Sequence, residues 1–212
     1  MTMFGSQWLA NAGSTYEIDQ SIRFNDDDSA KLSRTPSAGN RTTWTYSVWL
    51  KRGNIPGLSK DIFSASTNST NRFEIQFNAS EQIRIYQSDS GSTTDDLITN
   101  RLFRDPSSWY HLVFRYDTTE STASDRIKLY VNGVQETSFS TANYPTASYE
   151  GDVNANVVHT ISSRESGGVF FDGYMAEINF VSGTAKAASD FGETDAATGQ
   201  WVPKKYTGAY GT

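Results

Sequence analysis

The sequence predicts an all-β fold built from antiparallel strands. Apolar residues alternate with polar ones over many short segments, which is the period of a strand with one buried face. Turn-forming residues separate these segments, and no window of helical length carries an apolar stripe. Strands in this number must close into a barrel or stack as two sheets.

Composition limits the classes of function. The chain has 212 residues, no cysteine and a net charge of −6. This length suits one sandwich domain, whose core must hold without disulfides. Binding to nucleic acid is not expected, because it requires a clustered basic face. Membrane insertion is not expected either, because no apolar run approaches the roughly 20 residues of a spanning helix.

The clearest strand is Thr43–Lys51. Its even-numbered residues from Trp44 to Leu50 share one face, and Trp49 lies on the other. Further strands are predicted at Arg72–Asn78, Gln82–Ser88, Asp96–Phe103, Trp109–Asp117, Arg126–Val131, Val134–Phe139, Val157–Ser162 and Gly173–Val181.

Two hairpins are predicted between these strands. The link Ala79–Glu81 is short enough for a hairpin loop. The pair Asn132–Gly133 favours a two-residue turn, because both central residues must take positive φ.

Both ends of the chain are predicted as arms. Residues 1–13 form an N-terminal arm, residues 14–190 the β-sandwich and residues 191–212 a C-terminal arm. Arms on a compact core suit contacts outside the domain. We expect their apolar residues to be buried on neighbouring subunits; these residues are Phe4, Trp8, Leu9, Trp201, Tyr206 and Tyr210.

Several segments resemble, in order and spacing, the concanavalin A-like lectin/glucanase superfamily in its laminin-G-like branch. They are Ser21–Asn25 with Ala30–Leu32, Thr45–Lys51, Ser108–Phe114, Lys128–Val134 and Phe171–Ile178. The resemblance covers Ser14 to Ser182. It implies a jelly-roll sandwich of two curved antiparallel sheets.

Two segments also resemble bacteriophage virion proteins of the tail-fibre, tail-spike or capsid-associated kind. They are Phe24–Thr35, and Asp190–Glu193 with Thr198–Gly208. This resemblance implies a protein made in the host bacterial cytoplasm and located on the virion surface. Its partners would be other capsid or tail proteins, and we expect a homo-oligomer.

Catalysis is not expected. Glucanases of this superfamily use a Glu-x-Asp-x-x-Glu strand, and the nearest string, Glu17–Arg23, lacks the second Glu. There is no cysteine and no Gly-x-Ser-x-Gly elbow for a nucleophile. His111 and His159 lie far apart in sequence, and each is expected to be a hydrogen-bonded structural imidazole. No cofactor is required by these motifs.

Calcium is the one metal that the sequence suggests. The run Asn25-Asp26-Asp27-Asp28 concentrates oxygen ligands in one loop, and Asp172 would join from a neighbouring loop. Laminin-G-like relatives often bind calcium at a sandwich rim. The same residues are typical of turns, which is the interpretation we favour, and calcium binding stays open beside it.

A carbohydrate site would combine an aromatic platform with polar side chains. Trp49, Trp109 and Tyr110 lie on central predicted strands, but most such residues should fill the core. Alternation turns Trp49 away from the core, so it is the chosen candidate. The loop Thr141–Asn154, with Tyr144 and Tyr149, is the alternative, because recognition often uses loops.

These observations favour a non-catalytic virion surface protein, either a capsid decoration or a tail-fibre component. Its lectin-like sandwich would serve particle assembly, with a host-surface glycan as a further partner. The alternative is a free carbohydrate-binding lectin.

Overall fold

The computed structural model describes residues 16–164 and 167–211. It confirms the all-β prediction, with two large antiparallel sheets stacked as a sandwich and a small two-stranded sheet beside them. The strands are β1 (Ile22–Phe24), β2 (Leu32–Arg34), β3 (Thr43–Arg52), β4 (Lys60–Asn68), β5 (Asn71–Phe77), β6 (Ile83–Asp89), β7 (Ser92–Thr99), β8 (Tyr110–Asp117), β9 (Ile127–Val131), β10 (Val134–Glu136), β11 (Phe139–Asn143), β12 (Val158–Ile161), β13 (Gly173–Ser182), β14 (Gly192–Thr194) and β15 (Trp201–Pro203). Single 3₁₀ turns occur at Ala123–Asp125 and Ala188–Asp190.

The strand order pairs segments that are distant in sequence. The six-stranded sheet has the order β1-β13-β3-β8-β9-β10, and the seven-stranded sheet has the order β11-β7-β6-β5-β4-β12-β2. The late strand β13 lies between β1 and β3, and β12 lies between β4 and β2, whereas β4 to β7 and β8 to β10 are consecutive antiparallel neighbours. Two stacked antiparallel sheets with such crossovers are the jelly-roll arrangement that the resemblance implies.

The core lies between the two sheets and contains the predicted inward faces. Trp44 of β3 is 1% exposed and meets Phe73 of β5 edge to face, with ring centroids 5.3 Å apart. Trp44 also stacks on Tyr116 of β8 at 4.8 Å. Aromatic pairs at these distances add stability beyond the burial of their area.

The predicted hairpin turns are confirmed. Residues 78–82 connect β5 to β6, and Asn132–Gly133 connects β9 to β10. Asn132 and Gly133 have φ of 49° and 79°, as a two-residue hairpin of this type requires.

The segment Val134–Phe139 was predicted as one strand, and that prediction is wrong. It divides into β10 and β11, which belong to different sheets. The division lies at Ser138, whose backbone N–H donates to the buried Glu136 carboxylate at 3.0 Å. Glu136 also pairs with Arg101 at 3.0 Å, which fixes the bend.

The C-terminal segment differs from the predicted extended arm. Residues 184–211, here called the C-terminal strap, lie on the outer face of the six-stranded sheet. Phe191 and Tyr206 stack on each other at 4.9 Å and are buried against Val113 and Val181. Burial of these apolar side chains on the chain's own sheet is favourable, so this part of the arm does not extend into solvent.

The described part of the chain contains no helix that is long and apolar enough to cross a membrane.

Candidate functional site

Trp49 lies on the outer face of the six-stranded sheet, as its alternation predicts. Its cross-strand neighbours are His111 on β8 and the small Ala176 on β13. The indole stacks on the His111 imidazole with ring centroids 4.7 Å apart and an interplanar angle of 14°. The Trp49 ring therefore lies parallel to the His111 ring of β8, and a cavity opens on its Ala176 side.

His111 is fixed in one tautomer by its two neighbours. The Trp201 indole Nε1–H, which can only donate, bonds to His111 Nδ1 at 2.9 Å. Nδ1 is therefore the acceptor, and Nε2–H donates to Ser47 Oγ at 3.0 Å. Burial lowers the pKa of His111 to about 3. This confirms the expected structural imidazole, which holds two tryptophans in place.

The Trp201 ring packs closely against two glycines, Gly133 and Gly192. A Cβ added at Gly133 would lie 2.4 Å from the Trp201 ring, and one at Gly192 would lie 2.5 Å from it. Since real Cβ atoms do not approach so closely, only glycine allows this packing. Trp201 thus joins the strap to the β9–β10 turn.

Two adjoining cavities that share Trp109 flank this cluster, and together they form what we call the tryptophan groove. The apolar pocket has a volume of about 310 Å³, and the polar pocket about 630 Å³. The apolar pocket is lined by Ile18, Asp19, Gln20, Ser21, Trp49, Trp109, Ala176 and Pro203. The polar pocket is lined by Ser108, Trp109, Asn132, Val134, Thr194, Gly199, Gln200 and Trp201.

The groove combines an exposed ring with free polar groups. Trp109 is 38% exposed at the junction of the two pockets. The Trp49 indole N–H is buried without a hydrogen-bond acceptor among the described residues. The side-chain amides of Asn132 and Gln200 border the polar pocket. Within the described residues, the Asn132 side chain bonds through its oxygen alone, which accepts from the His111 backbone. Rings beside amides suit a ligand with both C–H faces and hydroxyl groups.

The groove does not hold a pair of carboxylates. Asp19 is the one acidic residue among the described residues that line it. Glycoside hydrolysis requires two carboxyl groups on either side of the scissile bond. Among the described residues that line the groove, the paired carboxyl groups of a glycoside hydrolase are therefore not present.

The outer face of the seven-stranded sheet carries a charged cluster. Glu74, 1% exposed, pairs with Arg72 at 2.9 Å and with Arg164 at 2.5 Å. Asp61 lies 3.6 Å from Arg164, and burial together with the Glu74 charge raises its pKa to about 8. Both carboxyl groups are shielded from solvent, so they do not form an open acid–base pair.

A third cavity of about 560 Å³ opens between the sheets near β2, β12 and β13. Two of its polar side chains are engaged in hydrogen bonds, whereas the Tyr46 hydroxyl, which also lines it, has no partner among the described residues. The Asn154 amide donates to Asn40 O and Ser182 Oγ, and His159 accepts from the Asn154 backbone at 2.9 Å.

The predicted carbohydrate residues do not come together. Trp49 lies in the groove, although it is only 7% exposed. Tyr149 accepts a bond through its backbone oxygen from Thr118, which follows the opposite end of β8. Tyr144 packs against the core between the sheets. The loop Thr141–Asn154 is thus a separate surface.

The predicted calcium residues are engaged in other contacts. Asp26 pairs with Lys60 at 2.7 Å, Asp28 accepts from Asn25 at 2.7 Å, and Asp172 pairs with Arg23 at 2.6 Å. Over residues 16–164 and 167–211, no group of three or more His, Cys, Asp or Glu residues is placed to hold a metal ion. The loop with Asp27 therefore matches the turn interpretation, and calcium binding stays a prediction.

The predicted assembly residues divide into three cases. Phe4, Trp8 and Leu9 lie outside the described residues. Trp201 and Tyr206 pack on the chain's own sheet, which corrects the expectation that they are buried on neighbouring subunits. Tyr210 is 50% exposed, and its hydroxyl donates to Asn179 at 2.8 Å.

Trp109 lies in the groove, although Trp49 was chosen over it as the predicted carbohydrate residue. The signal for it was the turn Asp105–Ser108, where the Asp105 carboxylate accepts from the Ser107 backbone at 2.8 Å. Because this turn directly precedes it, Trp109 enters the sheet at its end and stays exposed rather than filling the core.

Stacked antiparallel sheets in this order define a jelly-roll sandwich, which carries the tryptophan groove on one outer face. A laminin-G-type family model described as "Concanavalin A-like lectin/glucanases superfamily" matches residues 24–189. The chain belongs to this family, which confirms the superfamily part of the resemblance.

Solved structures share the fold at low sequence identity. NanB sialidase from Streptococcus pneumoniae (a mutant form) aligns with TM-score 0.56 and 16% identity, over 82% of this chain and 28% of that one. A SAP-like pentraxin from Limulus polyphemus aligns with TM-score 0.53 and 12% identity, over 74% and 71%. Domain 4 of the arabinanase AbnA from Geobacillus stearothermophilus aligns with TM-score 0.50 and 18% identity, over 69% and 64%. The chain thus spans less than two thirds of the sialidase and arabinanase chains. No curated protein sequence matches the chain significantly.

Proposed function

We propose that the protein is a non-catalytic glycan-binding module that uses the tryptophan groove. The observation that carries this proposal is Trp109, exposed at 38% between an apolar and a polar pocket. A sugar ring would stack on its indole, while sugar hydroxyls would bond to the Asn132 and Gln200 amides. The arabinanase domain of the same fold is described as a complex with arabinotriose, which supports a glycan as the ligand class.

A glycan array followed by calorimetry tests the proposal. We expect at least one array hit for the full chain. Trp109→Ala should weaken binding of that glycan at least about tenfold, because truncation of a tryptophan at the centre of a binding surface typically costs about 2 kcal/mol or more. Tyr174→Ala is the matched control, because Tyr174 is an exposed aromatic residue of the same sheet outside the groove. An array without hits would contradict the proposal.

We propose further that the module works on the surface of a virion, as a capsid decoration or tail-fibre component. The support is the resemblance of Phe24–Thr35 and Thr198–Gly208 to virion proteins. The second of these segments contributes Trp201 and Pro203 to the groove. Virion assembly would then use the N-terminal residues, while the groove faces the ligand.

Particle incorporation tests the virion proposal. Removal of residues 1–13 avoids the strap and should leave a folded, glycan-binding domain that purified particles no longer contain. The test uses mass spectrometry of particles assembled with the full-length and shortened chains. Equal incorporation of both chains would contradict assembly through the N-terminal arm.

A further inference from the structure

We infer that Glu177 positions one wall of the tryptophan groove, because its carboxylate holds the segment that forms this wall through the Tyr16 hydroxyl. This inference rests on the proposed function and deepens it by naming a residue that keeps the glycan site in shape. Three features of the molecule support it: the wall itself, the bulge that carries Glu177 and the bond between the two.

The wall is the segment Tyr16–Ser21, which precedes β1. Residues 18–21 line the apolar pocket together with Trp49. Residues 17–20 belong to no strand and, within the described chain, make no backbone hydrogen bond to another segment. The pairing of β1 with β13 fastens the C-terminal end of the wall. Its other end therefore depends on side-chain contacts around Tyr16.

Glu177 lies in a bulge of β13. The register between β13 and β3 shifts between Ala176 and Asn179. Glu177 has a φ of 47°, a left-handed conformation in which bulges of this kind usually place glycine. Glutamate is unfavourable there unless its surroundings hold it, and the Asn179 amide does so by donating to the Glu177 carbonyl at 2.9 Å. A contact of the glutamate side chain explains why this residue type suits the position.

The bond between Tyr16 and Glu177 joins the bulge to the wall. The Tyr16 hydroxyl donates to Glu177 Oε1 at 2.5 Å, and such a bond to a carboxylate is short and about twice as strong as a neutral one. The bond, together with burial, raises the pKa of Tyr16 to about 12, so the hydroxyl keeps its proton at neutral pH. Ala176, next to Glu177 in sequence, lines the apolar pocket, so the bond lies beside the site.

Loss of this bond should weaken binding without removing any residue that lines the groove. The wall would lose a contact at its Tyr16 end and sample more conformations. A glycan that binds would then have to order the wall again, and this ordering lowers affinity.

Nitrogen-15 relaxation of the full chain without a glycan tests the positioning role. We expect backbone order parameters of residues 17–20 to be about 0.85 in the parent and below about 0.6 in Tyr16→Phe. Glu177→Gly should show the same loss although glycine suits the bulge, whereas Glu177→Gln, whose amide oxygen still accepts, should keep the parent values. Tyr174→Phe, the same change at an exposed position of β13 outside the groove, is the matched control. Unchanged order parameters in Tyr16→Phe would overturn the inference.

Calorimetry with the tightest glycan of the array measures the consequence for binding. We expect Tyr16→Phe and Glu177→Gly each to weaken affinity about tenfold, as one hydrogen bond to a charged group contributes about that factor. Glu177→Gln should keep the parent affinity. The double variant should lose no more than either single variant, because both substitutions remove the same bond. Additive losses would show that the two residues act separately and would overturn the inference.

Failure of the inference can be separated from failure of the proposed function. An array without hits would contradict the proposed function and, with it, the role of Glu177 in a glycan site. An affinity that Trp109→Ala lowers and Tyr16→Phe leaves unchanged would overturn the inference alone. An affinity that both substitutions lower would support both.

Discussion

Trp49 shows how far a single residue can be predicted from its neighbours in sequence. Alternation along β3 is a local property, so its outward direction could be predicted. Its burial could not, because Pro203 and Ile18, which line the same pocket, come from opposite ends of the chain. The tautomer of His111 could not be predicted either, because it is set by Trp201, which lies on the strap far away in sequence.

The Tyr46 hydroxyl is buried without a hydrogen-bond partner among the described residues. Burial raises the pKa of this group above its usual range. We expect Tyr46→Phe to raise the free energy of unfolding by about 1 kcal/mol, because an unpaired buried hydroxyl is unfavourable. Urea denaturation measures the change. Tyr116→Phe is the control and should lower stability, since its hydroxyl donates to Asp95 at 3.2 Å.

His111 should stay neutral under mildly acidic conditions. Its pKa is lowered to about 3 by burial, whereas an unfolded chain takes up the proton near pH 6.5. The unfolded state therefore binds more protons over that interval, and this residue's share of stability falls as pH drops from about 6.5 towards 3. Carbon-13 NMR of the imidazole should show no titration between pH 8 and 4; a midpoint near 6.5 would contradict the buried tautomer.

At the scale of elements, strands with strong alternation could be predicted and those without it could not. β3, β5 and β8 have large apolar residues on one face. β4 was missed because Ser64 and Ser66 alternate with only moderate apolar residues, and a bulge lies between Asp61 and Phe63. The charged cluster that β4 shares with β5 was therefore missed as well.

Asp61→Asn should be stabilising in a pH-dependent way. The pKa of Asp61 is raised to about 8, so the folded state keeps a proton that the unfolded state releases near pH 4. Stability from this site is lost as pH rises from about 4 to 8. We expect the stability of Asp61→Asn relative to the parent to increase over the same window, measured by urea denaturation at several pH values.

Asp96→Asn is the matched control on the same face. Its carboxylate pairs with Arg84 through two bonds of 2.7 and 2.8 Å, so its loss should lower stability at neutral pH. A relative stability of Asp61→Asn that stays flat between pH 4 and 8 would contradict the raised pKa.

Trp201 holds the strap to the sheet. We expect Trp201→Ala to lower the free energy of unfolding by about 3 kcal/mol, because it leaves space between Gly133 and Gly192 and removes the bond to His111. Trp109 is an exposed tryptophan of the same groove, so Trp109→Ala should lower the free energy of unfolding by less than about 1 kcal/mol. Chemical denaturation measures the free energy of unfolding of both variants. An equal loss in the two would contradict the role of Trp201 in holding the strap to the sheet.

At the scale of the molecule, the sandwich could be predicted and the covering of its outer face could not. Strand number and turn spacing favour two sheets, because each strand exposes one apolar face that must be buried. The strap was interpreted as an arm since glycine, threonine and lysine suggest an exposed chain. Its few apolar side chains, Phe191 and Tyr206 among them, decide its position.

A chain that ends after Gly183 should lose much of its stability. It would expose Val113, Val181 and the Trp49–His111 stack, and lose the burial of Phe191 and Tyr206. At about 1.5–3 kcal/mol for each large side chain, we expect a loss of about 5 kcal/mol. Urea denaturation with a dye that binds exposed apolar surface tests this; unchanged stability would show that the strap is dispensable.

The half-exposed Trp109 gives the protein its own optical reporter. Its indole stands in solvent at the junction of the two pockets, whereas Trp44 and Trp49 are buried. A ligand that covers Trp109 would remove water from the most exposed indole in the described part of the chain. Intrinsic fluorescence should then shift to shorter wavelength on saturation, so occupancy could be followed without a label.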